Sequence, residues 1–154
     1  MTSMDSKVNP VDHSRTDELN QALELFHFAY RAFTAGPDRI LKSRGLQRVH
    51  HRILYFVGRN PDLSVNGLLG ILGVSKQALN APLRQLLEMR LVDNQLDPQD
   101  RRIRRLRLTA DGAKLETSLS GQQRRAMDRI FQRSGPGAEQ AWRDVMAAIG
   151  EERS

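Results

Sequence analysis

Cysteine is missing from all 154 residues, which excludes disulfides, thiolate metal sites and oxidant sensing through a thiol. No stretch approaches the roughly 18 uncharged apolar residues of a membrane span. The opening MTSMDSKVNPVDHSRTDE is polar and lacks the apolar centre of a secretory signal, so a cytoplasmic protein without a membrane partner is expected. Also absent are a glycine-rich phosphate loop, a nucleophile motif and a metal-ligand spacing. An enzyme is therefore not expected, and neither is a cofactor.

With 39% hydrophobic and 27% charged residues, the chain can bury one ordinary core. Its net charge of +6 is unevenly placed. Residues 36–107 hold fourteen basic and six acidic side chains, whereas 1–35 hold three and five, and 108–154 hold seven of each. A basic centre between near-neutral arms suits a module that meets a polyanion while the arms do something else.

Helical spacing starts at Thr16, after a polar stretch read as a flexible tail over 1–15. Leu19, Leu23, Phe26, Tyr30 and Phe33 form an apolar stripe, with Thr16 as N-cap and Gly36-Pro37 as its stop. Residues 38–44 read as helical. A second helix carries Leu46, Val49, Ile53, Phe56 and Val57 and breaks at Asn60-Pro61. Ser64 then caps a short helix ending at Gly73, and Ser75 caps another with Leu79, Leu83, Leu86 and Leu87 on its buried side. Two short helices around a tight turn have helix-turn-helix spacing, although any helical hairpin shares it.

The residues that follow are more specific. Leu91, Val92, Asn94 and Leu96 read as a strand, 97–100 as a turn, and 103–108 as a returning strand. The hairpin carries Arg101, Arg102, Arg104, Arg105 and Arg107, five guanidinium groups that would repel one another unless they face phosphates. The alternative is a solvated, salt-bridged edge strand. Beyond Thr109, two more helices are separated by Ser134-Gly135-Pro136-Gly137. The second carries an apolar face around Trp142, while the polar run 116–125 in the first predicts an exposed middle.

Residues 63–112 resemble the MarR family of bacterial transcription regulators. Asp100-Arg101-Arg102 followed by Leu108-Thr109-Ala110-Asp111-Gly112 is similar to the family's DRR and LTxxG wing signature, and the flanking helices match in order and length. The resemblance implies a mainly α fold with a small β-hairpin wing. In it, a winged helix-turn-helix over 47–112 lies between N-terminal (16–46) and C-terminal (113–154) dimerisation helices. It further implies a homodimer binding a pseudo-palindromic operator in double-stranded DNA, as a repressor more often than an activator. The two apolar faces agree, since both expose more area than a monomer tolerates, unless they pack on each other within one subunit.

Lys76, Gln77, Asn80, Ala81, Arg84 and Gln85 face away from the leucine stripe. Gln77, Asn80 and Arg84 are the expected base readers, because Gln and Asn pair bidentately with adenine and Arg with guanine. Ser64, Ser75 and Lys76 are expected on phosphates at helix N-termini. Arg101 or Arg102 would enter a minor groove, with Arg104 or Arg105 on the flanking backbone and Asp100 orienting an arginine. Ala81, Gly67, Gly70 and Pro82 depart from the usual pattern. Pro82 removes the hydrogen bond to the Ala78 carbonyl, and a bend there would re-aim Arg84 and Gln85.

His27, His50 and His51 fall on the helices that line a ligand cavity in this family. Without cysteine or a close-set carboxylate they do not make a metal site. The effector implied by the resemblance is a small aromatic or phenolic anion meeting His27, Arg48, His51 or Arg52. A winged-helix module binding an acidic protein partner, with no operator, is the competing reading.

Overall fold

The structure, a computed structural model, describes residues 10–152. The chain divides into two units, Met1–Gly36 and Pro37–Ser154. The first is the leading part of α1 (Pro10–Ser43). Residues 10–15, expected to be tail, are helical, since proline costs nothing at a helix start where its missing N–H would be unpaired anyway. The rest of that expected tail, 1–9, lies outside the described residues. Leu19, Leu23, Phe26 and Tyr30 stand exposed along this helix.

The expected stop at Gly36-Pro37 is corrected: α1 continues through Pro37 to Ser43. Proline removes one backbone hydrogen bond at a cost of about 3 kcal/mol. On its far side, Leu41 is fully buried in the core of the second unit. The end comes instead at Gly45, in left-handed backbone at φ 71°, where the Leu46 amide donates to the Leu41 carbonyl at 2.8 Å.

The second unit continues with α2 (Arg48–Arg59), β1 (Leu63–Ser64), α3 (Val65–Leu72) and α4 (Lys76–Glu88). It closes with β2 (Val92–Leu96), β3 (Arg104–Leu108), α5 (Ala110–Ser134) and α6 (Ala138–Glu151). Its core gathers Ile53, Leu54 and Val57 of α2, Leu68 of α3, Leu79, Leu83 and Leu86 of α4, Leu106 of β3, and Leu115 and Leu119 of α5. Each buried leucine contributes about 2 kcal/mol relative to exposure.

Sequence periodicity does not reveal the two-residue β1. Leu63 pairs with Leu106 and Ser64 with Arg105, so the sheet runs β1-β3-β2 and the arginine strand is its centre. The strand is therefore not an edge, although the salt-bridging of that alternative is present at Arg102, Arg105 and Arg107. Ser64 serves twice, ending β1 and capping α3 by accepting from the Gly67 amide at 2.9 Å. The wing and the helix pair therefore share a residue.

The LTxxG signature has a packing explanation. Leu108 packs on the core. The Thr109 hydroxyl accepts from the Gly112 amide at 3.0 Å and donates to the Arg90 carbonyl at 2.6 Å, capping α5 and tying it to the chain after α4. A β-carbon on Gly112 would lie 1.8 Å from the Leu91 carbonyl oxygen. That carbonyl also accepts from the Thr109 amide. Only glycine leaves room.

The expected exposure of 116–125 holds at Thr117, Ser118, Arg124 and Arg125 but fails at its centre. Leu119, Ser120 and Gly121 are buried where α5 packs on α2. Small side chains let the helices approach, and the Ser120 hydroxyl is satisfied by His51 Nε2 at 3.0 Å, so polarity here is compatible with burial. Beyond that contact, Phe131 and Trp142 meet edge to face at 5.4 Å.

Candidate nucleic-acid interface

The helix-turn-helix is closed by two serine caps. Ser75 accepts from the Ala78 amide at 3.1 Å as Ser64 does from Gly67, and α3 ends at Gly73 with φ 65°. Each hydroxyl accepts through a lone pair and keeps its proton, so it remains able to donate to an anion. Lys76 opens α4 and is exposed.

Helix α4 runs unbroken from Lys76 to Glu88 with Pro82 inside. Leu79, Leu83 and Leu86 face the core. Gln77, Asn80 and Arg84 are exposed one turn apart on the opposite side, and none has a side-chain partner among the described residues. A row of bare donors and acceptors on a rigid helix can pair with base edges. Gln85 does not belong to that row. Its side chain is turned to His50 and to the Gly45 carbonyl, which claim both ends of its amide.

Hairpin pairing in the wing runs from Val92↔Leu108 to Leu96↔Arg104. Asp97 shapes the turn, accepting from the Gln99 and Asp100 amides at 2.8 and 3.0 Å and from Arg105 Nε at 3.0 Å. These bonds, the two amides foremost, hold its carboxyl below the usual carboxylate range. Asp100 accepts from Arg102 through Nε, Nη2 and the backbone amide, at 3.0, 3.1 and 3.0 Å. The Arg102 guanidinium in turn pushes the Asp100 carboxyl down. Arg102 nevertheless remains 90% exposed, and its Nη1 edge is left free.

Two further carboxylates were not expected. Asp62, in left-handed backbone at φ 67° just before β1, takes Arg107 bidentately at 2.6 and 2.7 Å. Arg107 lowers its pKa. Asp97 holds Arg105. Arg101 and Arg104 are exposed and have no ion-pair partner among the described residues. A carboxylate beside an arginine was visible in the sequence for Asp100 alone; Asp62 reaches Arg107 only through the β1–β3 pairing.

The expected effector residues are dispersed in their interactions. His27 meets Phe28 edge to face at 5.3 Å, and Arg52 is exposed. Arg48 donates to both Asp38 oxygens, the shortest contact being 2.8 Å. Burial lowers the His51 pKa, more than nearby Glu116 and Asp38 raise it. Asp38 and Arg48 also line an open cleft of about 540 Å³ at the α1–α2 junction, together with Lys42, Gly45 and Gln47. No group of three or more metal-ligating side chains converges among the described residues, and no helix there is long and apolar enough to cross a membrane.

Residues 44–103 match the sequence model of the MarR family. Over 135 residues the chain is 44% identical to the HTH-type transcriptional regulator PetP of Rhodobacter capsulatus, covering 87% of this chain and 81% of that protein. Among solved structures, the MarR family transcription regulator SP03579 is similar with a TM-score of 0.73 at 23% identity, over 92% of this chain and 93% of its own. The S. aureus MepR–DNA complex is similar with a TM-score of 0.65 at 20% identity, over 84% and 96%. At these identities the two structures speak for the fold alone.

Proposed function

This chain belongs to the MarR family and is a DNA-binding transcriptional regulator; from that premise we propose how its surfaces divide the work. As a homodimer it binds a pseudo-palindromic operator in the cytoplasm, acting as a repressor and performing no catalysis. Gln77, Asn80 and Arg84 read base edges in the major groove, while Ser64, Ser75 and Lys76 hold phosphates at the helix N-termini. Arg102, aimed by Asp100, and Arg101 beside it enter the flanking minor groove, and Arg104 rests on the backbone.

The observation that carries this reading is the bare polar row on α4 beside an arginine held side-on by its own carboxylate with one edge left free. Dimerisation is supported by exposed apolar residues on both arms, Leu23 at 71% and Val145 at 56% among them. The effector is a small aromatic anion. The cleft that includes Arg48 supports that part, with His51 and Arg52 as further residues it would meet.

Titrating the full chain against an inverted repeat from its neighbouring intergenic DNA and against random duplex, over a range of salt, tests the assignment. Preference for the repeat of at least a hundredfold and a steep inverse salt dependence are expected. Equal affinity for both duplexes at every salt concentration would refute it.

A further inference from the structure

We propose that Gln85, on the inner side of α4, positions the reading helix for sequence recognition through a hydrogen-bonded bridge to His50 and Gly45. The proposal rests on the reading of α4 as the helix that enters the major groove. Gln85 Oε1 lies 2.9 Å from His50 Nε2, and Gln85 Nε2 donates to the Gly45 carbonyl at 3.1 Å. The other imidazole nitrogen, Nδ1, accepts from the Gln47 backbone amide at 2.9 Å. A backbone amide only donates, so the ring proton sits on Nε2 and Gln85 Oε1 accepts it. Flipping the Gln85 amide would set oxygen against the Gly45 carbonyl and nitrogen against a donor, so each polar atom of the bridge has one role.

The bridge supplies what the leucines do not. Leu79, Leu83 and Leu86 fix how deeply α4 sits, but apolar contact is non-directional and resists rotation about the helix axis weakly. A side-chain end roughly 6 Å from the axis moves by about 2 Å when the helix turns 20°. That displacement is enough to lose a bidentate bond to a base, while phosphate attraction, longer in range, tolerates it. Gln85 adjoins Arg84 and ties it to two fixed points. His50, only 4% exposed, caps α2, and Gly45 is held by the α1 terminus. With water excluded from His50, a lost partner is not replaced. Gly45, and Gln47 whose amide holds His50, line the α1–α2 cleft, so one anchor and the support of the other lie in its wall.

The test presents full-length wild type, Gln85→Leu and Gln85→Glu with a random-sequence duplex pool, sequences the bound fraction, and measures affinity for a mixed-sequence duplex against salt. Wild type is expected to enrich an inverted repeat. Gln85→Leu should keep its mixed-duplex affinity within about twofold and the same salt slope, while enrichment of the repeat falls at least tenfold. Gln85→Glu keeps an acceptor for His50 but sets a carboxylate oxygen against the Gly45 carbonyl, and should fall between. Wild-type enrichment by a folded Gln85→Leu would overturn the proposal, leaving the bridge as packing. Should that variant not fold, unchanged enrichment by Gln85→Glu would overturn it equally. If wild type itself enriches nothing, the DNA-reading role of α4 fails and the proposal falls with it, an outcome that wild type alone reports.

Discussion

Helix α4 and the wing both present polar and basic side chains outward, yet they hold them in opposite ways. On α4, Gln77, Asn80 and Arg84 are bare and owe their direction to the helix beneath them. On the wing, three of the five arginines are engaged by carboxylates of Asp62, Asp97 and Asp100. A hairpin tip is a soft platform, and an unrestrained arginine there loses roughly 2 kcal/mol of rotamer entropy when it binds. Pairing Arg102 in advance trades some of its attraction for phosphate against a defined direction. Counting charges along the sequence therefore overstates the free positive charge of the wing.

The largest expected effect comes from removing the wing's base. Gly112→Ala forces the α5 start away from Leu91 and should cost more than about 3 kcal/mol, read from urea unfolding. A loss below about 1 kcal/mol would show that the Leu91 carbonyl can shift. Next, the two surfaces should separate under mutation. Arg102→Ala is expected to weaken binding to every duplex alike and lower the salt slope by about 0.9. Asn80→Ala should change preference at one base pair by about 1–3 kcal/mol with the slope intact. Identical sequence profiles for wild type and Asn80→Ala would remove Asn80 from the readers.

A smaller effect, of opposite sign, is expected from Asp62→Asn. Freeing Arg107 should raise random-duplex affinity a few-fold and steepen the salt slope by up to about one, measured by anisotropy. An unchanged slope would mean that Arg107 does not reach a phosphate even when released. The smallest concerns His51. Its pKa in the folded chain lies below the ordinary value of about 6.5, so the unfolded chain binds the extra proton first. The stability it contributes is present above about pH 6.5 and is lost as pH falls from there through the lower folded value. A His51→Gln variant, melted at pH 7 and pH 5, should lose less stability between the two than wild type.

Much of this was legible because it is encoded locally. Leucine spacing, serine caps and the Asp97–Asp100 turn are written within a few residues, and so is the pairing of Asp100 with Arg102. What escaped was encoded across the fold. β1 is too short to show an alternation, so the pairing that brings Asp62 to Arg107 left no trace in the sequence. Ser120 and Gly121 looked like surface because polar and small residues usually are, whereas here a histidine on the facing helix satisfies the hydroxyl. Gln85 was grouped with the outward residues by angle alone. Its amide is long enough to turn back once His50 and Gly45 offer a partner for each end. Pro37 looked like a terminator because its chemistry is local, but the burial of Leu41 beyond it is not.

The central position of β3 also bears on how such a protein can diversify. Flanked by β1 on one side and β2 on the other, the strand is anchored whatever the hairpin does beyond Leu96 and Arg104. Residues 97–103 can then lengthen, shorten or exchange charge while Leu106 and the helix pair stay in register. The reach of the wing becomes a property that selection or an engineer can adjust without touching helix α4.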